Sequence, residues 1–261
     1  MFGFRSKLKK KLLYEKFLPT NYNTSDVYLV SYPKSGNTWI SFLLANTINL
    51  IKKESKQVNF FNIHDYVPDM YVSRNIPNNL GCFPRIIKSH ANFNPYYYKV
   101  LLLVRDPRDV MVSYYKFLKN LNVIKDMTLS KFIRNRKYGI ENWLKHSGSW
   151  YYSPPPAQSV ILFRYEDFFK DTMKELSRMF TCIGYNISED ILKQAVKASD
   201  KNIMKIIERE TESFFMKKRF NNFNFVRKGD MSGRLELLLE DRQFIAGKVD
   251  KIAEEFGYKF N

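Results

Sequence analysis

The chain has 261 residues, of which 44% are hydrophobic and 16% aromatic, with only 10 Gly and 10 Pro. This composition excludes a disordered or fibrous chain and predicts a globular protein with a full core. The formal net charge of +17 favours anionic partners, such as a phosphate-rich cofactor, nucleic acid or an acidic membrane surface.

The N-terminal residues are basic, and we predict a basic extension over residues 1–24 followed by one domain over residues 25–261. Leucines among the lysines of the extension are compatible with a helix that lies on a membrane surface, although docking on the chain's own domain is the preferred interpretation. No stretch approaches the ~20 apolar residues of a membrane span. Cys82 and Cys182 form no zinc or disulfide pattern, which indicates a reducing compartment and predicts a cytoplasmic location.

Apolar runs rich in β-branched residues alternate with helical patterns along the chain. We predict strands at 27–32, 85–88, 100–104 and 159–163, and helices at 171–183 and 240–256. Continuous apolar strands between helices are typical of a parallel sheet covered on both faces, so the predicted fold class is α/β. Residues 205–226 are aromatic and basic without a clear period, which predicts a long surface loop that covers a site.

The first predicted strand leads into the turn PKSGNTW, residues 33–39, and then into a helix. A helix N-terminus at the end of a parallel strand offers backbone N–H groups and a positive dipole end to an anion. Gly36 permits close approach of the backbone, while Lys34 adds a charge and Ser35 and Thr38 add hydroxyl donors. The turn is P-loop-like but lacks the GxxxxGK[ST] pattern, and by itself it is also compatible with an ordinary strand-to-helix connection.

Two further segments have the features of anion sites. RDPRDVMVSYYKF, residues 105–117, follows the strand at 100–104 and begins with Arg105. FVRKGDMSG, residues 225–233, carries Arg227, Lys228 and Gly229.

Together these motifs resemble the cytosolic-type sulfotransferase family that uses 3′-phosphoadenosine 5′-phosphosulfate (PAPS). PKSGNTW is similar to the family's PKSGTTW, residues 105–117 are similar to its RNPKDVAVSYYHF, and residues 227–233 approach its RKGxxG. FRYEDF at 163–168 and GIENWLKHSGSWY at 139–151 are similar to two further family segments. The resemblance covers the chain from about Val27 to Gly257, and it departs from the family at Asn37, where threonine is usual, and in the missing GDW after RKG.

The resemblance implies a central parallel sheet flanked by helices, with a 5′-phosphosulfate-binding turn after the first strand. It also implies donor-binding roles for three sets of residues. Lys34, Ser35, Gly36, Asn37 and Thr38 would hold the phosphosulfate, Trp39, Tyr165 and Ser199 the adenine, and Arg105, Ser113, Arg227, Lys228 and Gly229 the 3′-phosphate.

The acceptor hydroxyl must lose a proton, and a histidine is the usual general base. His90 closes the segment PRIIKSH, just after the predicted strand at 85–88, and this segment resembles the family's KTH, whose histidine is the base. We therefore predict His90 as the base, Lys34 at the leaving phosphate and Lys88 at the transferring sulfuryl group. His64 and His146 are expected to pack rather than to react.

The predicted function is transfer of a sulfuryl group from PAPS to a hydroxyl, or as a second option an amine, of a small molecule or glycan. The product would be adenosine 3′,5′-bisphosphate (PAP), and no metal is needed. A nucleotide-dependent kinase is disfavoured because the lysine precedes the glycine and because of the 3′-phosphate motif. A basic polyanion- or membrane-binding protein would leave His90 and the ordered motifs unexplained, and no nucleic-acid partner is expected. The sequence indicates neither the acceptor nor the oligomeric state.

Overall fold

A parallel sheet forms the centre of the computed structural model, which describes residues 14–77, 83–153, 158–215 and 232–260. Within these ranges the strands are β1 (Val27–Ser31), β2 (Ile86–Ser89), β3 (Lys99–Val104) and β4 (Ser159–Arg164). Their order across the sheet is β2-β1-β3-β4, and every neighbouring pair is parallel. Each strand lies within a residue or so of its predicted position.

Helices cover both faces of the sheet. The described helices are α1 (Asn37–Lys52), α2 (Pro107–Asn120), α3 (Leu129–Ile133), α4 (Ile140–Tyr152), α5 (Tyr165–Lys170), α6 (Thr172–Cys182), α7 (Glu189–Ala198), α8 (Lys201–Phe215) and α9 (Leu239–Glu255). Short 3₁₀ turns occur at Ile63–Asp65 and Gly233–Glu236.

The alternation of side chains along β1 divides the core into two layers. Val27 and Leu29 point into a layer built with α1, α6 and α7, whereas Tyr28 and Val30 point into a layer built with α2, α4 and α9. Because both faces of the strand are apolar and buried, the strand reads as a continuous hydrophobic run. The predicted α/β class, with a parallel sheet flanked by helices, is confirmed.

The strand order places the crevice of the sheet between β1 and β3. The chain passes from β1 to β2 on one side and then returns to place β3 on the other side of β1. In open α/β sheets, ligands bind at such a switch point, beyond the carboxyl ends of the two strands. Those ends are Ser31 and Val104, and they carry two of the motifs singled out in the sequence.

The prediction of a loop at residues 205–226 is wrong over its first part, because residues 201–215 form helix α8. Met204 and Ile207 are buried and give the helix its apolar face. The predicted segment began at Lys205 and so excluded Ile203 and Met204, which hid the helical period. The rest of that segment lies outside the described residues.

Residues that precede β1 pack on the domain. Leu18 is buried, its carbonyl accepts a hydrogen bond from Arg74 Nε at 2.7 Å, and the Phe17 carbonyl accepts one from the Tyr97 hydroxyl at 2.6 Å. The division at residue 24 stays a prediction. In the described ranges, none of the helices combines the length and apolar character needed to cross a membrane.

Candidate active site

A cavity of about 750 Å³ lies at the switch point between β1 and β3. Its walls come from the turn after β1, the starts of α2 and α5, the end of β2, and the segment around the 3₁₀ turn Gly233–Glu236. The cavity brings together most of the predicted site residues, namely Lys34, Gly36, Asn37, Thr38, Trp39, Lys88, His90, Arg105, Ser113, Tyr165 and Ser199. Arg227, Lys228 and Gly229 lie outside the described residues.

The turn after β1 bends sharply to begin α1. Lys34 and Gly36 both have positive φ, at 70° and 96°. Gly36 is the N-cap of α1, and the helix has neither a side-chain cap nor an acidic residue in its first turn. The positive end of the helix dipole therefore meets the cavity without a neutralising carboxylate of its own. This geometry suits a phosphate or sulfate group.

Ser35 and Asn37 differ from the other loop residues because their side chains are buried. The Ser35 hydroxyl has no hydrogen-bond partner within the described part of the chain. Asn37 Nδ2 donates to Ser31 Oγ at 2.9 Å, and Asn37 Oδ1 accepts from Ser41 Oγ at 3.2 Å. The amide of Asn37 thus links the first turn of α1 to the end of β1.

Aromatic side chains form one wall of the cavity. The Trp39 and Tyr165 rings meet edge to face with centroids 5.7 Å apart, and the Arg105 guanidinium lies 4.5 Å from the centre of the Tyr165 ring. The Ser199 carbonyl accepts from Trp39 Nε1 at 3.2 Å, while its hydroxyl accepts from Asn46. The structure therefore ties Ser199 to the indole. A flat ring can stack on such a wall.

The positively charged side chains of the site lie where β3 ends. Arg105 follows β3 and donates to the Lys34 carbonyl at 3.4 Å, while the Lys34 ammonium lies 4.4 Å from the centre of the Phe117 ring. Asp106 caps α2 by accepting from the Arg108 backbone N–H, and Pro107 occupies the first turn. Arg105 and Ser113 consequently face the same cavity as the turn after β1.

Two hydrogen bonds from Arg234, here called the Arg234 clamp, hold the neighbouring Ser232 and Gly233 at the cavity wall. The Arg234 backbone N–H donates to Asp109 Oδ1 at 2.8 Å, and Arg234 Nη1 donates to Asp106 Oδ2 at 3.0 Å. Burial raises the pKa of Asp109, and the hydrogen bond from the Arg234 backbone N–H opposes this shift. The motif RDPRD supplies both acidic groups, but nothing in it indicates their partner.

If the cavity holds PAP, as the sequence resemblance implies, replacement of Arg234 by methionine is expected to weaken its binding about fivefold, because a half-exposed charge-assisted contact contributes about 1 kcal/mol. Calorimetric titration with PAP would measure the loss. Arg136→Met is the matched control, since Arg136 is exposed, carries the same charge and does not line the cavity. Equal losses in the two variants would contradict a specific role for the clamp.

His90 lies at the cavity wall directly after β2. Its Nδ1 is 2.7 Å from the Ser31 carbonyl oxygen, which can only accept, so Nδ1 carries the proton and Nε2 keeps a lone pair. Burial, and then the nearby Lys88 charge, lower the pKa of His90 to about 4. The imidazole is therefore neutral at pH 7 and has the tautomer that a general base needs.

His146, on α4, is buried against Tyr32, with ring centroids 5.6 Å apart. Burial, and then the nearby His90, lower the pKa of His146 to about 3. The structure places His146 behind the cavity rather than on its wall.

These buried histidines predict that the protein loses stability in mild acid. The pKa values of His90 and His146 in the folded chain lie below the ordinary value of 6.5. At pH values between each folded-state pKa and 6.5, the unfolded chain therefore binds more protons than the folded chain. The free energy of unfolding should fall as pH decreases below about 6.5, by up to about 1.4 kcal/mol per pH unit for each histidine. Urea unfolding at pH 7 and 5.5 would measure this slope. In His146→Phe the slope should be shallower, and an unchanged slope would contradict the assignment.

Lys88 reaches the cavity from β2 and is paired with Asp69. The Lys88 Nζ to Asp69 Oδ2 distance is 2.7 Å, and both side chains are largely buried. No sequence motif points to Asp69, which lies in a segment without a recognisable pattern. Among the described residues, no cluster of three or more His, Cys, Asp or Glu could hold a metal ion.

Comparison with known proteins identifies the family. The family model described as "Sulfotransferase domain" matches residues 24–255. Sulfotransferase 1E1 of Bos taurus is 28% identical over 217 residues, which cover 74% of this chain and 72% of that protein. Sulfotransferase 2A1 of Rattus norvegicus is 29% identical over 226 residues, which cover 78% and 75%.

Solved structures show the same fold. Retinol dehydratase in a complex with retinol and PAP has a TM-score of 0.69 at 19% identity, covering 95% of this chain and 85% of that one. Mouse sulfotransferase SULT7A1 complexed with PAP has a TM-score of 0.63 at 19% identity, covering 93% and 90%. The family match spans most of the chain and agrees with the motifs and the sheet, so the chain belongs to the sulfotransferase domain family.

Proposed function

We propose that the protein transfers a sulfuryl group from PAPS to the hydroxyl group of a small-molecule acceptor. One observation carries this proposal: a neutral histidine with an unprotonated Nε2 and an uncapped, anion-binding helix N-terminus line the same cavity. Solved structures with the same fold, retinol dehydratase and SULT7A1, are described as complexes with PAP, which supports the same donor here.

The donor would lie along the β1 and β3 ends of the cavity. Lys34, with the turn through Ser35, Gly36, Asn37 and Thr38, would hold the 5′-phosphosulfate. Trp39 and Tyr165 would stack on the adenine, with Ser199 fixing the indole. Arg105 and Ser113 would hold the 3′-phosphate, as would Arg227, Lys228 and Gly229.

The reaction would proceed by in-line attack of the acceptor oxygen on the sulfur of PAPS. A bond forms between that oxygen and sulfur, the bond from sulfur to the 5′-phosphate oxygen breaks, and PAP leaves with the extra negative charge. His90 Nε2 takes the acceptor proton, while Lys34 stabilises the charge that develops on the leaving phosphate. Lys88 would stabilise the sulfuryl oxygens during transfer. Positioning and electrostatics supply the rate enhancement, as in phosphoryl transfer.

A small hydroxylated molecule is the proposed acceptor class, with a glycan hydroxyl or an amine as alternatives. Structures with this fold are described with retinol and with androsterone, both small and largely apolar. Tyr71, next to His90 with centroids 5.6 Å apart, is 64% exposed and offers an aromatic contact to such a molecule. A cytoplasmic location, where PAPS and a reduced Cys182 are expected, belongs to the same proposal.

A thermal shift measurement with PAP, AMP and ATP tests the donor. A ligand at 100 times its dissociation constant stabilises the folded state by about 2.7 kcal/mol, so PAP should raise the melting temperature well above the effect of AMP. Formation of PAP from PAPS in the presence of a hydroxyl acceptor then tests transfer. Preference for ATP would favour a kinase, and stabilisation by any polyanion, lost steeply with salt, would favour a polyanion-binding protein.

A further inference from the structure

Residues 68–70 run beside the edge strand β2. The Lys88 backbone N–H donates to the Pro68 carbonyl at 2.7 Å, and the Met70 N–H donates to the Lys88 carbonyl at 3.1 Å. These bonds form an isolated parallel bridge that fixes Asp69 opposite Lys88. The position of the Asp69 carboxylate is therefore set by the sheet, not by a flexible loop.

Both oxygens of Asp69 have donors. Oδ2 pairs with Lys88 Nζ at 2.7 Å, and Oδ1 accepts from the Tyr71 backbone N–H at 2.8 Å. The exposed fractions are 8% for the Asp69 side chain and 16% for that of Lys88, so water screens this pair far less than a surface pair. A buried ion pair of this kind often stabilises the folded protein no more than apolar residues of similar size would, so stability alone does not account for its presence.

The charges that act on His90 come from several elements. Lys88 on β2 and Lys34 in the turn after β1 both oppose a proton on the imidazole, and Asp69 favours it. His146 on α4 interacts with the ring as a neutral group, and the Tyr71 ring packs on it. Within the described ranges, Asp69 is the carboxylate that acts on His90. Without Asp69, the positive charges of Lys34 and Lys88 would both oppose an imidazolium formed at His90 during transfer, and no carboxylate among the described residues would offset them.

We propose that Asp69 is a positioning residue that holds the Lys88 ammonium beside the transferring sulfuryl group and balances its charge while His90 carries the acceptor proton. This inference rests on the proposed sulfuryl transfer. Through Lys88, Asp69 would also set the preference for acceptor charge, because the neutralised lysine does not attract an anionic acceptor as a free one would.

The test compares Asp69→Asn with Asp65→Asn. Asparagine keeps an oxygen for the Tyr71 N–H, and Asp65 is an exposed carboxylate whose 3.6 Å pair with Lys56 lies on the surface. With 4-hydroxybenzoate methyl ester as a neutral acceptor, Asp69→Asn should lower kcat about 10- to 100-fold, comparable to the loss of a group that orients a metal ligand in other enzymes. The KM for PAPS and the thermal shift by PAP should stay unchanged. Asp65→Asn should behave like the unmodified chain.

Acceptor charge provides a readout that a purely structural role would not change. The ratio of kcat/KM for 4-hydroxybenzoate to that for its methyl ester should rise about tenfold in Asp69→Asn, because the unneutralised Lys88 attracts the carboxylate. Asp69→Asn should add little to the loss already caused by Lys88→Met, since both changes remove one interaction. Equal kinetics and equal acceptor ratios in Asp69→Asn and Asp65→Asn would overturn the inference.

A crystal structure of Asp69→Asn with PAP tests whether Asp69 positions Lys88, and this test needs no acceptor molecule. Lys88 Nζ should leave its place near residue 69, and an unmoved Lys88 would overturn the inference. Failure of the unmodified chain to form PAP from PAPS with every acceptor would count against the proposed function instead. The two failures are therefore distinguishable.

Discussion

Replacing His90 with asparagine is expected to lower kcat about 10²- to 10⁴-fold, the usual contribution of a general base. The asparagine amide can still donate to the Ser31 carbonyl as Nδ1 does, so the end of β1 keeps its hydrogen bond. The variant loses the Nε2 lone pair, which in our proposal receives the acceptor proton. Turnover should fall while affinity for PAP, measured by calorimetry, stays within about twofold of the unmodified chain, since PAP contacts other walls of the cavity.

The control for this prediction is His64→Asn. His64 belongs to the 3₁₀ turn Ile63–Asp65, is half-buried, and does not line the cavity. Burial also lowers its pKa, but the His64 ring does not face the cavity, so this variant removes a partly buried histidine without removing a group that could reach the acceptor. His64→Asn should keep its kcat. Full activity of His90→Asn would mean that another group takes the proton, and loss of PAP binding would mean that the substitution disrupts the donor site.

The fold could be predicted from the sequence because its elements carry their signals locally. The central strands β1 and β3 are apolar runs, since both faces of the sheet are covered there. The helix α6 shows its apolar face within its own residues, and Gly184 follows its end with positive φ. Helix α8 is not apparent within residues 205–226, because its buried Met204 precedes that segment.

The candidate site could be predicted only in part. Residues 33–39 and 105–117 follow strand ends directly, so a local motif implies the place of each residue. Asp69 and Arg234 act through partners distant in sequence, Lys88 and Asp106, and such pairs have no local signal. The tautomer of His90 depends on a carbonyl of the neighbouring strand, and the inward turn of the Asn37 amide depends on Ser31. These features follow from strand register, which the sequence pattern does not specify.

Replacing Gly36 with alanine is expected to weaken PAP binding about ten- to a hundredfold, because overpacking typically costs 1–3 kcal/mol. A Cβ atom at this position would lie 2.2 Å from Cδ2 of Tyr165. The ring cannot yield easily, since Trp39 packs against it and the Arg105 guanidinium lies over it. Movement of the ring would therefore disturb the proposed adenine wall and the proposed 3′-phosphate site together. Titration with PAP would measure the loss.

Gly184→Ala separates this clash from backbone strain. Gly184 has φ of 95°, almost equal to the 96° of Gly36, but no atom lies within 4 Å of an added Cβ. Both substitutions should therefore cost about 1–2 kcal/mol of stability from the left-handed backbone, and only Gly36→Ala should lose PAP. In Tyr165→Ala, where the wall is already lost, adding Gly36→Ala should weaken PAP binding little further, because the clashing ring is absent. If Gly184→Ala weakened PAP binding as strongly, general destabilisation would explain the loss, and the clash with Tyr165 would not be its cause.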